Sequence, residues 1–452
     1  MKHLNIVILA AGKGKRMYSA RPKVLHPIGG KPMLQRVIDT AKRLMPSRLI
    51  IVYGHGKEHV REAVASPDSV WIEQTEQWGT GHALKVALPA LVMESTTLVL
   101  YGDVPLIQSD TLSALLAAAG EGMAVLTNVT DEPAGYGRIV RGGDGNVLAI
   151  VEEKECTPAQ CLIHEINTGI MALPTDYLAG WLGALNNHNA QKEYYLTDVV
   201  AFAVRDRIPV AAIAVSDAHE ADGVNSKVQL ARLERAWQRR QAYALLDAGV
   251  TLADPERIDI RGELRCGQDV SIDVNCIFEG DVELGDGVTV GPHCLLKDVK
   301  VAAGAMIAAF SLLEGAHIGA ESRIGPYARL RPGTQVLSHA HVGNFVEVKN
   351  SRIGSESKVN HLTYIGDATI GQKVNVGAGC VTVNYNGVEK FQTTIEDDVF
   401  VGSGTMMVAP VTLQQGATVG AGSVITQMVP AGKLSIARAR QVLVPGWQRP
   451  KK

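Results

Sequence analysis

Aromatic residues make up only 5% of this 452-residue chain, and its six cysteines (Cys156, Cys161, Cys266, Cys276, Cys294, Cys380) form no C-x-x-C pair. The first scarcity, beside 46 glycines, points to a chain built partly from tight turns. The second, with no close Cys/His spacing, argues against a zinc site and a disulfide framework and suits a reducing cytosol. Neither sign of charge is in excess, with 44 Lys+Arg against 46 Asp+Glu, so a nucleic-acid partner has no global support. No apolar run is long enough to span a bilayer, and the N-terminus enters a strand pattern without a signal-peptide core. These absences predict a soluble cytoplasmic protein with neither membrane nor nucleic acid as partner. Its length predicts more than one domain.

What the chain does have is concentrated first in "LAAGKGKRMYSARPK", Leu9 to Lys23. The stretch follows the apolar run Ile6, Val7, Ile8 and gathers two glycines and five cations in one turn. It is not a dinucleotide fingerprint, because Met17 stands where a third glycine belongs, and it lacks P-loop spacing. Backbone N–H groups around Gly12 and Gly14 can still face an anion, with Lys13, Lys15, Arg16, Arg21 and Lys23 to neutralise it.

Two halves with different periods follow. Residues 1–225 alternate strand candidates (Asn5–Leu9, Arg48–Val52, Thr97–Leu100, Met123–Thr127) with helix candidates (Met33–Leu44, Gly81–Leu91, Thr111–Ala119). That rhythm predicts an α/β domain with a Rossmann-like, mostly parallel sheet and ligands at the carboxyl ends of its strands. Residues 226–250 hold a helix with a largely solvated charged face, read as a linker. From Ile258 the apolar period becomes six, through Leu264, Val270, Cys276, Val282, Val288 and Cys294, then Met306, Leu312, Ile318, Ile324, Leu330, Val336, Val342 and Val348. Lys300 is the one polar break. A second set runs two residues later, from Ile260 to Leu296. Short strands stacked as a parallel β-helix make such a repeat, over residues 251–430. The polar "VNYNGVEKFQTT" should leave the coil as an excursion, and residues 431–452 form a basic tail.

The motifs "LAAGKGKRM", "RPKVLHPIGGKPML", "QWGTGHA", "YGDVPL", "GYGRI", "INTGI" and "GVNSK" resemble those of the sugar-phosphate nucleotidyltransferases. "NHLTYIGD", "NVGAGCVTVNYNG" and "VFVGSGT" resemble those of the hexapeptide acyltransferases. Their order along one chain resembles the bacterial enzymes that fuse N-acetylglucosamine-1-phosphate uridylyltransferase to glucosamine-1-phosphate N-acetyltransferase. The resemblance covers nearly the full length. It implies a left-handed β-helix, a homotrimer, and a product used for peptidoglycan and lipopolysaccharide.

For uridylyl transfer, the resemblance places UTP phosphates on Leu9, Ala10, Ala11, Gly12, Gly14, Arg16 and Lys23. It places Mg²⁺ on Asp103 and Asn225, oxygen donors suited to that ion. Gln74, Gly79 and Thr80 would read uracil beside Gly81, with Tyr101 and Gly102 near the sugar. Gly137, Glu152, Asn167 and Thr168 match acceptor-sugar positions. Lys15, Glu153 and Lys192 depart from the commoner Thr, His and Gly. For acetyl transfer from acetyl-CoA, it implies His361 as proton acceptor oriented by Glu347. Arg331 and Lys349 would hold the substrate phosphate, with Tyr364 and Asn375 as other contacts of the amino sugar. Ala378, Asn384, Tyr385, Ser403, Ala421 and Arg438 would hold CoA, with Arg440 and the tail lysines Lys451 and Lys452 as further cations. Two rivals share the two-domain plan: a nucleotidyltransferase with a purely structural β-helix, and a non-catalytic regulatory subunit.

Overall fold

Ile6, Val7 and Ile8 are fully buried, as an apolar run becomes when both faces of its strand are covered by helices. They lie in β1 (His3–Ala10) of a nine-stranded sheet in the computed structural model, which describes residues 3–12, 14–54 and 57–450. Lys13, Lys451 and Lys452 therefore lie outside the described residues. The chain divides into two units between Trp237 and Gln238.

In the first unit β1 is flanked by β2 (Arg48–Tyr53) and by the strand Ser95–Tyr101, here β4; β3 (Val70–Glu73) forms the edge beyond β2. Beyond β4 come β8 (Glu165–Pro174), β5 (Met123–Val129) and β9 (Val210–Ala214). The hairpin β6 (Arg138–Arg141) and β7 (Val147–Val151) joins through β8. β8 runs antiparallel to both neighbours, and the other main-path pairs are parallel. Because Leu9 of β1 pairs with Tyr101 of β4 in parallel register, the loops after both strands open at the same sheet edge. That register brings the glycine loop to Asp103. The helix α1 (Met33–Arg43) buries Met33, Leu34, Val37, Ile38 and Ala41, one apolar stripe. The helix α2 (Thr80–Ala87) ends four residues before the predicted Leu91, since Pro89 cannot continue it.

The helix Lys227–Asp247 is more than a solvated connector. Its first half packs Leu230, Leu233 and Trp237 with Met17, Ile28, Met33, Leu106 and Val224. The Arg36 guanidinium stacks 3.6 Å from the centre of the Trp237 ring, and burial lowers its pKa to about 10. A side chain on Gly29 would meet Trp237 Nε1 at 2.2 Å, so only glycine fits beneath it. In the second unit, Gln238 of the same helix exchanges hydrogen bonds of 2.7 and 2.9 Å with the backbone of Ile260. This closes the first coil of the repeat.

The second unit is a parallel β-helix whose stacked short strands form an 11-stranded and a 17-stranded sheet. Ile272, Val290, Ile307, Ile324, Val342, Val359, Val376, Val401 and Val419 pair successively down one face. None is more than 3% exposed. The six-residue reading needs one correction. Met306 and Leu312 point outward, 45% and 37% exposed, while Ala305, Ile307, Ser311 and Leu313 point in. One residue is lost between the pairs Glu279↔Lys297 and Glu283↔Lys300 and regained between Leu313↔Leu330 and His317↔Gln335. Lys300 therefore sits outward between buried Val299 and Val301. Among the described residues no helix is long and apolar enough to cross a membrane.

Candidate active sites

At the sheet edge of the first unit, Gly14 takes a left-handed φ of 59°, and a Cβ there would strike Lys23 Cβ at 2.7 Å. The turn is thus shaped to lay Lys23 across the loop. The Lys23 ammonium donates a short hydrogen bond to the Asp103 carboxylate and a second, of 3.1 Å, to Asn225 Oδ1. Two oxygens from distant stretches of the unit thereby converge on one cation. Gly12 and Arg16 are exposed, whereas Leu9, Ala10 and Ala11 are buried. Gly102 is tight: its Cβ would lie 3.1 Å from both Ala10 and Leu34.

The predicted base-reading residues also converge. Gln74, 3% exposed, donates to Gly79 O at 3.2 Å and pairs with His82 Nδ1 at 3.0 Å. Gly79, at φ 104°, and Gly81 admit the backbone of Tyr194; a Cβ would be 2.7 and 3.0 Å from its carbonyl oxygen. Thr80 Oγ1 accepts from Leu196 N at 3.2 Å. Burial, then Glu152 and Asp103, push the Tyr101 phenol far up, so it stays a neutral donor.

Around the acceptor side, Asn167 N donates to Gly137 O at 2.8 Å, and a Cβ on Gly137 would lie 3.6 Å from Glu152 Oε1. Thr168 Oγ1 donates to Leu126 O at 2.7 Å. Glu152 accepts from Thr197 Oγ1 at 3.0 Å; burial raises its pKa, with Asp198 and Glu193 adding repulsion. The departures have local work. Glu153 accepts from Gly135 N at 2.7 Å and faces Arg138 at 3.6 Å. Lys192 holds φ 56°, the conformation that favours glycine. Lys15 is exposed.

One corner of the β-helix explains the second site. His293, Phe310, Tyr327 and Phe345 occupy successive left-handed turns, φ 60°, 59°, 56° and 54°, and their rings stack at 4.8, 4.9 and 5.2 Å. Stacking at the spacing of the coils offsets a backbone conformation that bulky residues rarely adopt. Leu362 follows at φ 49°, and then the corner switches to Gly379, Gly404 and Gly422. There the ring wall ends. The residue before each turn is His361, Ala378, Ser403 and Ala421. Their carbonyls form one column, accepting from Gly379 N (3.1 Å), Gly404 N (2.7 Å), Gly422 N (2.8 Å) and Arg438 Nη1 (2.6 Å). A column of backbone carbonyls thus begins at the exposed His361.

On the adjoining face Glu347 pairs in register with Tyr364, and Lys349 with Gly366. A Cβ on Gly366 would meet Tyr364 Oη at 2.4 Å, so the phenol lies across that glycine. Arg331 Nη1 donates to Glu347 at 3.0 Å. Glu347 is therefore engaged by Arg331, and among the described residues no hydrogen bond joins it to the His361 ring. Lys349 is lowered first by neighbouring Lys390 and by burial, with Arg331 adding repulsion and Asp367 opposing it. Such a cluster of cations is costly without an anion. Asn384 and Asn350 both donate to Asp367. The exposed Tyr385 lies on the excursion, which folds back through a bridge to Lys390. Asn375 is not brought to this cluster; it pairs with Lys358 and Phe400 in the 11-stranded sheet. Lys390 and Asp367 were passed over in the sequence, although Lys390 is the cation of the excursion and Asp367 ends "YIGD". Among the described residues no three His, Cys, Asp or Glu side chains form a ready metal cage.

Residues 6–163 match the MobA-like NTP transferase domain, and residues 392–427 match the hexapeptide repeat of succinyl-transferase. The Bifunctional protein GlmU of Chromobacterium violaceum is 66% identical over 452 residues, covering 100% of this chain and 99% of that protein. Its counterpart in Nitrosospira multiformis is 58% identical, with 100% and 99% covered, and that of Cupriavidus pinatubonensis 56%, with 99% of each covered. At such identity over both units, the chain belongs to the bifunctional GlmU family.

Proposed function

We propose that the chain makes UDP-N-acetylglucosamine in two steps, acetylating glucosamine-1-phosphate with acetyl-CoA and then transferring UMP from UTP to the product. The observation that carries this reading is the pairing, in one chain, of the Lys23–Asp103–Asn225 constellation with the His361 column beside Arg331, Lys349 and Lys390. A nucleotidyltransferase with a merely structural β-helix would leave that column and cation cluster without use.

In uridylyl transfer, a phosphate oxygen of the sugar attacks the α-phosphorus of UTP and pyrophosphate leaves. The glycine-loop N–H groups, Arg16 and Lys23 screen the two anions and align them. The donor set at Asp103 and Asn225 fits a divalent cation, since both oxygens already face the Lys23 ammonium in the structure. Mg²⁺ held there would supply Lewis-acid stabilisation of the charge developing on phosphate oxygens. Gln74, Gly79 and Thr80 read uracil, with Gly81 at their side. Gly137, Glu152, Asn167 and Thr168 orient the acceptor sugar near Tyr101.

In acetyl transfer, the amino nitrogen attacks the thioester carbonyl, His361 takes its proton, and CoA leaves as the thiol. Arg331 and Lys349 hold the phosphate, with Tyr364 beside them. Phosphate drawing Arg331 away frees Glu347 to orient His361. The thioester arm follows Ala378, Ser403 and Ala421 to Arg438, and Asn384 and Tyr385 form its other wall. Asn375, on another face, would serve a neighbouring copy's site, which makes the acetyl site shared within a homotrimer. Light scattering tests the trimer. The function itself is tested with purified protein, glucosamine-1-phosphate, acetyl-CoA, UTP and Mg²⁺. UDP-N-acetylglucosamine, free thiol and pyrophosphate should all appear, and omitting acetyl-CoA should abolish the first.

A further inference from the structure

Two cysteines of the first unit have no part in either reaction. Cys156 and Cys161 flank the start and end of the one-turn helix Pro158–Cys161. Thr157 caps it, its Oγ1 accepting from Gln160 N at 3.3 Å while Gln160 Oε1 accepts from Thr157 N at 2.9 Å. In this reciprocal capping box, the residue before the cap and the fourth helical residue meet as a hydrophobic staple. Here those two positions are Cys156 and Cys161, so the staple is a pair of thiols. The contacts agree. Cys161 Sγ lies 3.9 Å from the Cys156 carbonyl oxygen, and Cys156 Sγ lies 3.8 Å from that of Val151.

Both residues are half-buried. The β-helix cysteines differ: Cys276, Cys294 and Cys380 are buried, and burial pushes the first two up to about 11 and about 12. Those are inert core thiols. Cys156 is also raised, by burial and then by the adjacent Cys161 thiol, which limits its thiolate and confines exchange to alkaline pH.

We propose that Cys156 and Cys161 form a thiol–disulfide exchange site that takes small disulfides of the glutathione class and closes into an intrachain disulfide. One cysteine, as thiolate, attacks a sulfur of oxidised glutathione and releases one glutathione. The second attacks the protein sulfur of the mixed disulfide and releases the other. The two protein thiol protons end on two glutathione thiols, and the electron pair leaves the protein with them.

The site adjoins a strap that holds the acceptor side of the crevice. Along it Glu152 accepts from Thr197, Glu153 from Gly135 N, and Glu155 from Ala190 N at 2.9 Å. Forming the S–S bond removes the thiol hydrogen, so Cys156 Sγ can no longer donate to the Val151 carbonyl, directly before Glu152. Closure therefore loosens the strap, a consequence that rests on the uridylyl-transfer reading; the covalent step does not.

The test treats whole protein with oxidised glutathione without oxygen, then maps disulfides by alkylation and mass spectrometry alongside both assays. A Cys156–Cys161 crosslink is expected, with the KM for N-acetylglucosamine-1-phosphate raised about tenfold or more, as displacement of positioning groups produces. Dithiothreitol should reverse both changes, and acetyl-CoA thiol release should not move. The double variant Cys156→Ser/Cys161→Ser should match untreated wild type in KM and keep it after treatment. Absence of the crosslink, or glutathione retained on one wild-type cysteine, overturns the exchange site. A crosslink with unchanged KM overturns its link to the strap. Reduced wild type without uridylyl transfer would instead sink the functional reading and leave the disulfide standing.

Discussion

Arg331 holds Glu347, Nη1 to Oε1 at 3.0 Å across one coil of the β-helix. Both side chains are more than a third exposed, so the pair itself contributes only about 0–1 kcal/mol. A substrate phosphate can displace it. Charge-assisted hydrogen bonds to phosphate contribute about 1.5–3 kcal/mol, so Arg331→Ala should raise the KM for glucosamine-1-phosphate roughly ten- to hundredfold. Its melting temperature should barely change. Steady-state acetylation kinetics check this, and an unchanged KM would remove Arg331 from the phosphate site.

Glu152 is raised by burial first, with Asp198 and Glu193 adding to it against the Thr197 hydrogen bond. A carboxyl raised in the folded state binds protons the unfolded chain releases, so its stabilisation is present below the ordinary 4.5 and lost as pH rises through the folded value. Glu152→Gln should therefore melt higher than wild type at neutral pH, with the gap closing below about pH 4.5. Acceptor-sugar affinity should fall in the same variant. Melting curves across pH would contradict the account if the variant were the less stable at neutrality.

The register shift in the β-helix predicts opposite outcomes for two residues that share one sequence phase. Ile324 is fully buried in the column and Met306 is 45% exposed. Ile324→Ala should cost about 2–5 kcal/mol, and Met306→Ala about 0.5 kcal/mol or less. Denaturant unfolding of the second unit's transition separates them. Similar losses would mean that the uninterrupted six-residue phase is correct.

That shift shows why some of the molecule was readable and some was not. The period of six marks the coils because inward residues recur by strand geometry, but a one-residue contraction leaves a side chain such as Leu312 apolar and outward. Parallel strands were readable because β1 is buried on both faces, and the loop after it because its glycines and cations follow a strand end. The neighbourhood of Lys349 was not. Lys390 lies far along the chain and arrives only through the excursion, and the hydrogen bond from Arg331 to Glu347 joins residues of successive coils.

The most direct test of the whole account assigns one reaction to each half of the chain. Asp103→Ala and His361→Ala are assayed separately for pyrophosphate released from UTP with N-acetylglucosamine-1-phosphate, and for thiol released from acetyl-CoA with glucosamine-1-phosphate. Asp103→Ala should abolish the first and leave the second near wild type. His361→Ala should lower the second by roughly two to four orders of magnitude and spare the first. Loss of both activities in either folded variant, or near-normal acetylation without His361, would contradict it.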